Sequence, residues 1–196
     1  MTGPSFAHIG GIHDVKTFRR HLRDLDISIP CDIELCSSDR SPLVQPLSRD
    51  QIMLGNRFAI HPMEGWDGTT DGRPTELTFR RWRRFGTSGA KLIWGGEAVA
   101  VCHEGRANPN QLCINPNAVA DLTQLREALV KEHERSVGSI AGLVIGLQLT
   151  HSGRYSRPNS YDRAEPRILY YHPILDKRVG ITNDSPLLTD WEIQQI

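Results

Sequence analysis

The chain has 196 residues, of which 38% are hydrophobic and 23% are charged, a composition typical of a globular protein. Lysine and arginine together number 23, as do aspartate and glutamate, so the zero net charge favours neither nucleic acid nor an anionic membrane as a partner. The four cysteines form no CxxC pair, no secretory leader is visible, and no run approaches the about 20 apolar residues of a membrane span. We therefore expect a protein of the reducing cytoplasm.

The first part of the chain, residues 1–45, is predicted to be an N-terminal extension. Apolar side chains at helical spacing predict a short amphipathic helix over residues 15–25. Prolines interrupt the stretch that follows, so an irregular lead-in is expected up to about residue 50.

From residue 46 onward, short apolar runs alternate with helical patterns. The runs over 58–60, 90–94 and 142–147 predict three buried strands. Helices are predicted over 75–85 and 117–135, the second with Asn117 as its N-cap, and a capping-box pattern from Thr189 to Glu192 opens another. Residues 152–186 are polar and are expected to lack regular elements. This alternation predicts an α/β fold with a parallel sheet, and periodicity alone does not distinguish a barrel from an open sheet.

Small or polar residues follow each predicted strand. They are His61 to Glu64 after the first strand, Gly95 to Ala98 after the second, and Gln148 to Arg154 after the third. Ligands bind at the carboxyl ends of the strands both in (β/α)8 barrels and in open α/β sheets. We therefore expect these three groups to form one functional edge.

Three motifs, in this order, resemble those of Old Yellow Enzyme-type NAD(P)H:flavin oxidoreductases. Residues 56–63 read NRFAIHPM, similar to the family's NRxxxxPM first strand, and residues 88–98 read SGAKLIWGGEA, similar to its second. Residues 148–154 read QLTHSGR, similar to the QLxHxGR of its third strand. The resemblance extends from about residue 43 to the end of the chain. It implies the first part of a (β/α)8 barrel, about three βα units, over residues 46–196.

The resemblance also implies a flavoenzyme, with FMN as cofactor and NADH or NADPH as hydride donor to an activated alkene. The family's flavin contacts fall on Pro62, Met63, Glu64, Ala98 and Gln148. The backbone at Pro62 and Met63 would lie against the isoalloxazine ring, and Ala98 would present its N–H to the same edge. The Gln148 carboxamide can donate and accept, and would pair with flavin O2 and N3. The substrate pocket is assigned Trp66, His151 and Arg154.

Glu64 departs from the family pattern, because relatives usually carry Thr, Ser or Cys at this position. A carboxylate beside the electron-rich edge of reduced flavin would disfavour the anionic hydroquinone and lower the reduction potential. We therefore expect Glu64→Gln to raise the potential of the bound flavin, measured by spectroelectrochemical titration. An unchanged potential would remove this hypothesis.

Several parts of the family's machinery come from later strands. Its paired His/His or His/Asn, its flavin-contacting arginine and its phosphate-binding loops are all expected beyond Ile196, and the catalytic residues with them. A complete (β/α)8 barrel needs roughly 250 residues, and three strands cannot close one. We therefore expect an incomplete chain that is not a competent enzyme as given. The expected partners are a small-molecule substrate and either a missing C-terminal half or further copies of the chain in a homo-oligomer.

Other patterns have plainer interpretations. The arginines of 80–84 are interpreted as a solvated helix face and not as a nucleic-acid patch. The histidines lack metal-ligand spacing, so no metal site is predicted. Glu97 is either a catalytic acid or a structural carboxylate that binds backbone N–H groups, and Trp66 is either a pocket wall or a loop anchor. The alternative functions are a metal-dependent barrel hydrolase or lyase and a non-catalytic, partner-binding half-barrel.

Overall fold

The computed structural model describes residues 8–196, except for the side-chain contacts and solvent exposure of Ile9, Gly95 and Gly96. The chain divides into two units, Met1–Pro42 and Leu43–Ile196. The start of the predicted extension, residues 1–7, lies outside the described residues. None of the described helices is long and apolar enough to cross a membrane.

The first unit contains helix α1, Val15–Asp24. Asp14 is its N-cap and accepts a hydrogen bond from the Thr17 N–H at 2.7 Å, and Leu25 is its C-cap. The helix predicted over 15–25 is therefore confirmed. Single 3-10 turns lie on either side of it, at Ile9–Gly11 and Ser38–Arg40.

The second unit opens with an antiparallel hairpin of β1, Leu47–Arg49, and β2, Ile52–Leu54. Asp50 lies in the turn with φ of 52°, a left-handed conformation that aspartate tolerates better than most residues. The prediction that the chain is irregular up to about residue 50 is therefore wrong for β1, which is a regular strand. Both strands are short and largely exposed, so no hydrophobic alternation marks them.

A three-stranded parallel sheet forms the centre of the second unit, in the order β3-β4-β5. The strands are β3, Ala59–Ile60; β4, Leu92–Ala100; and β5, Val144–Thr150. Helix α2, Glu76–Thr87, connects the first pair, and helix α3, Ala118–Val137, connects the second. Both helices pack on one face of the sheet, where the buried core contains Trp82, Ile93, Val99, Leu125 and Leu129. The predicted α/β fold with a parallel sheet is confirmed.

Strand β4 is longer than predicted. The sequence pattern predicted its end at Gly95 and Gly96, but the strand continues to Ala100, and its pairing with β5 shifts between Trp94 and Ala98. Glycine inside a strand often marks a bulge of this kind instead of a strand end.

Two smaller predictions also need correction. Asn117 occupies the N-cap position of α3 but makes no side-chain capping bond; instead its N–H donates to Asn115 Oδ1 at 2.8 Å. Residues 152–186, predicted to be irregular throughout, contain a 3-10 turn at Gly153–Tyr155 and a short helix α4, Asp176–Val179. The capping box of Thr189 and Glu192 is confirmed and opens helix α5, Asp190–Gln194.

Helices α2 and α3 leave the opposite face of the sheet uncovered. Trp94 lies on this face and remains 52% exposed. Its ring is packed over Gly146, where an added Cβ would come within 2.8 Å of a Trp94 ring atom. Strand β5 is an edge strand, and Leu149 is 56% exposed there.

The close approach of α2 and α3 makes the first prediction that follows from the structure itself. A Cβ added at Gly86 would lie 2.5 Å from the carbonyl oxygen of Leu129. Alanine improves helix propensity by about 1 kcal/mol, whereas overpacking costs roughly 1–3 kcal/mol or more, and a backbone atom cannot move aside. We expect Gly86→Ala to lower the free energy of unfolding in urea. The control is Gly11→Ala, whose added Cβ meets no described atom within 4 Å. If Gly86→Ala is as stable as this control, the close approach of Gly86 to the Leu129 carbonyl is contradicted.

Candidate functional site

The residues that follow the three strands meet at one edge of the sheet. The Ala98 N–H donates to the Met63 carbonyl at 3.1 Å, and Ala98 is the register partner of Gln148 on β5. Because β3, β4 and β5 are parallel neighbours, Met63, Ala98 and Gln148 form a row across the carboxyl ends. The structure therefore brings together the three predicted groups.

The members of this row differ in what they can offer a ligand. Met63 is 73% exposed, Glu64 and Gln148 are exposed, and Pro62 is half-buried. Ala98 is 3% exposed, and its N–H is already used by the Met63 carbonyl. The prediction that Ala98 presents this N–H to a ligand is therefore wrong. Of the predicted contacts, Gln148 is left as the side chain that both donates and accepts.

Directly behind the row lies Glu97, whose side chain is completely buried. Its Oε1 accepts the Gly65 N–H at 2.7 Å, and its Oε2 accepts Nη2 of Arg81 at 2.5 Å. Burial raises the pKa of Glu97 above its ordinary value, although the Arg81 charge and the Gly65 N–H favour the ionised form. Of the two interpretations of Glu97, the structure supports the structural carboxylate that binds a backbone N–H.

Arg81 joins Glu97 to a second carboxylate, Asp67. Its Nε donates to Asp67 Oδ2 at 2.9 Å and its Nη2 to Asp67 Oδ1 at 2.7 Å. Burial tends to raise the pKa of Asp67, but the hydrogen bonds and charge of Arg81 outweigh it, so that pKa lies below its ordinary value. The prediction of a solvated arginine face is wrong for Arg81, whereas Arg80 and Arg84 are exposed.

Trp66 forms part of an aromatic pair at the rim of this edge. It is 63% exposed and stacks on Tyr161, with ring centroids 5.4 Å apart and an interplanar angle of 21°. The Tyr161 hydroxyl donates to Asn110 Oδ1. The backbone before Trp66 is fixed by Asn108, whose Nδ2 donates to the Gly65 carbonyl at 3.2 Å. Tyr161 was not identified from the sequence, because it lies in the polar segment 152–186 without any periodic signal.

The other two residues assigned to the substrate pocket hold loops in place. Arg154 pairs with Asp176 at 2.6 Å, and its guanidinium lies 5.2 Å from the ring centre of Tyr170. His151 Nδ1 accepts the Gly153 N–H at 3.0 Å, while its buried Nε2 has no partner in the part of the chain that the structure describes. Burial lowers the pKa of His151, so the ring is neutral at neutral pH.

The exposed groups at the edge combine amide-like polar atoms with apolar surface. Gln148 supplies a carboxamide, and Met63 and Trp94 supply apolar surface. Among residues 8–196, no three His, Cys, Asp or Glu side chains come together in a way that could hold a metal ion.

Comparisons with known proteins give a consistent fold. No protein-family model matches the sequence, and no curated protein shows significant similarity to it. Among solved structures, Old Yellow Enzyme from Pichia sp. AKU4542 is similar, with a TM-score of 0.54 and 21% identity over 80% of this chain and 40% of that chain. The 2-naphthoyl-CoA reductase in complex with 2-naphthoyl-CoA gives a TM-score of 0.50 and 18% identity over 65% of this chain and 18% of that chain. Morphinone reductase gives 0.46 and 27% identity, over 62% of this chain and 29% of that chain.

The chain therefore spans less than half the length of each of these three proteins. Its fold is part of a (β/α)8 barrel, as predicted, and the resemblance to Old Yellow Enzyme-type proteins is confirmed at the level of the fold.

The buried charges behind the edge make a second prediction. The Glu97–Arg81 and Glu76–Arg83 pairs have almost the same length, 2.5 and 2.6 Å, but the side-chain exposure of the two glutamates is 0% and 77%. Removing one partner of a buried pair costs about 3–5 kcal/mol, whereas exposed pairs contribute roughly 0–1 kcal/mol. We expect Glu97→Ala to lose most of its stability in urea unfolding and Glu76→Ala to lose little. Similar losses in the two variants would show that the Glu97 network is not structural.

Proposed function

We propose that this chain is the part of an FMN-dependent oxidoreductase that receives the isoalloxazine ring, at the carboxyl ends of β3, β4 and β5. The observation that carries the proposal is the row of Met63, Ala98 and Gln148 across three neighbouring parallel strands. These are positions that the sequence motifs assign to the flavin, and the fold similarity supports the same class of enzyme.

In this proposal Gln148 binds the pyrimidine part of the ring, donating through Nε2 and accepting through Oε1. Met63 and Trp94, both more than half exposed, provide apolar surface against the ring. Ala98 acts indirectly, because its N–H holds the Met63 carbonyl and so fixes the backbone that carries Met63 and Glu64. The flavin, when bound, supplies the hydride-transfer chemistry.

The proposed reaction of the full-length protein transfers hydride from NADH or NADPH, through FMN, to an activated alkene. Because the chain covers 40% of the Pichia enzyme and 18% of the naphthoyl-CoA reductase, this activity is proposed for a longer protein. We expect the phosphate site and the residues that grip the substrate on segments outside this chain. A cytoplasmic location without nucleic-acid or membrane partners, and assembly into a homo-oligomer, also remain predictions.

A second candidate function is that of a non-catalytic half-barrel that binds a protein partner. It is favoured by the uncovered sheet face around Trp94 and by the free edge of β5, where Leu149 is exposed. No specific observation favours the metal-dependent hydrolase or lyase.

Flavin titration of the chain tests the first candidate. Since the proposed contacts reach the ring and not the phosphate, the chain should bind lumiflavin, which lacks the ribityl phosphate, about as well as FMN. Gln148→Leu should weaken binding roughly tenfold, the equivalent of about 1.4 kcal/mol for the lost hydrogen bonds. Quenching of flavin fluorescence measures both affinities.

The matched control is Gln124→Leu, an equivalent change at an exposed position of α3. It should bind like the unmodified chain. Failure of the unmodified chain to bind either flavin, or an unchanged affinity in Gln148→Leu, would contradict the proposed ring site and favour the partner-binding half-barrel.

A further inference from the structure

Arg106 is 1% exposed, yet its hydrogen-bond partners include no carboxylate within the described residues. Its Nη1 donates to the carbonyl oxygens of Thr70 at 2.9 Å and Pro109 at 2.8 Å. Its Nη2 donates to the Pro158 carbonyl at 3.0 Å and to His103 Nδ1 at 2.9 Å. Each Nη carries two hydrogens, so all four are used, while the buried Nε has no partner in the described part of the chain.

The three carbonyl groups belong to three different loops. Thr70 lies in the loop after β3, Pro109 in the loop after β4, and Pro158 in the loop after β5. The backbone of Arg106 adds a further link, because its carbonyl accepts the Arg157 N–H at 2.8 Å. One residue therefore contacts every loop that leaves the carboxyl end of the sheet.

The chemistry of the contact explains why an arginine is placed there. Hydrogen bonds from four of its five donors offset much of the cost of burying this cation, and carbonyl groups outside regular structure also need donors. The planar guanidinium offers its donors in a fixed fork, so it can bridge acceptors that come from several directions. Lysine has only three donors on a single nitrogen and could not satisfy the same four acceptors.

The contacts extend from Arg106 towards the rim. Because arginine only donates, His103 Nδ1 must accept, and its Nε2–H then donates to Asn159 Oδ1 at 2.9 Å. Asn159 belongs to the same loop as Tyr161, the partner of Trp66. Tyr161 in turn donates to the side chain next to Pro109, Asn110.

We propose that Arg106 is a positioning residue that holds the three loops together as one preassembled rim around the ligand edge, and with it the Trp66–Tyr161 pair. Its donors act on backbone carbonyls, so it shapes the rim without touching a ligand. The claim that this rim surrounds a flavin rests on the proposed function, whereas the coupling of the three loops does not.

Hydrogen–deuterium exchange of the unmodified chain and of Arg106→Met tests the coupling. Methionine keeps an apolar side chain of similar length but has no donors. The amides of Gly68, Gln111 and Arg157 each make a backbone hydrogen bond within or between the loops. We expect all three to exchange at least tenfold faster in Arg106→Met, while the amides of α2 and α3 keep their rates. Arg106→Lys should leave at least one of the three loops unprotected.

The matched control is Arg73→Met. Arg73 lies in the loop after β3 but donates from Nε and Nη2 to a single carboxylate, Asp121, both at 2.9 Å. Its loss should affect exchange near residues 69–75 and the start of α3, and leave Gln111 and Arg157 unchanged. Faster exchange confined to residues 103–109 in Arg106→Met, or the same pattern in both variants, would overturn the proposal.

If Arg106→Met does not fold, His103→Leu provides the test, because His103 is exposed and supplies only one of the four acceptors. We expect faster exchange at Arg157 and its neighbours, where Asn159 loses its contact, and unchanged exchange at Gly68. Unchanged exchange at Arg157 would again overturn the proposal.

Lumiflavin titration of the same proteins separates the coupling of the loops from the proposed function. If the exchange pattern shows coupled loops but the chain binds no flavin, the role of Arg106 stands and the proposed flavin-binding function is contradicted.

Discussion

A buried carboxylate at the point where β4 resumes after its bulge constrains the rest of the site. Glu97 has no access to water, and an unpaired charge there would be strongly destabilising. Its two partners come from different elements: Arg81 from α2 and the Gly65 N–H from the loop after β3. Compensating this one charge therefore fixes both elements relative to β4. Asp67 accepts two further hydrogen bonds from the Arg81 guanidinium. The residues on either side of Trp66, Gly65 and Asp67, are therefore held by contacts with residues that are distant in the sequence.

The polar groups around the edge separate into those committed to the protein and those free for a ligand. Glu97, Arg106 and Arg154 have their charges buried or paired, and the Ala98 N–H is used by Met63. Gln148, among the predicted contacts, keeps an exposed carboxamide. A few free groups supported by a layer of buried, hydrogen-bonded charges are what a preorganised site requires, because ligand binding then costs little rearrangement.

Local patterns in the sequence predicted the elements and the meeting of the strand ends at one edge, but not the contacts that hold them. Periodicity and end signals predicted helix α1, the three parallel strands and the α5 capping box. The order of the sequence motifs predicted that Met63 and Gln148 follow the first and third strands. The bulge of β4 was missed because a Gly-Gly pair reads equally well as a strand end. The Arg81–Asp67 pair, the Arg106 contacts with Thr70 and Pro158, and the Tyr161–Asn110 contact were missed for another reason. In each of them the two partners lie 14 to 52 positions apart, beyond the range of any helical or strand period.

The uncovered sheet face and the proposed ligand edge are parts of the same surface. Successive residues of a strand alternate between faces, and Ile145 and Leu147 pack on the helix-covered core. Gly146 and Gln148 must then point to the open face, where Trp94 lies over Gly146. A flat ligand bound by Gln148 would therefore also cover part of Trp94, removing apolar area from water at about 25 cal/mol per Å². Because such a ligand binds only the folded sheet, its binding free energy adds to the stability of the sheet. Ligand binding and the covering of this sheet face would therefore depend on the same side chains, Gln148 and Trp94.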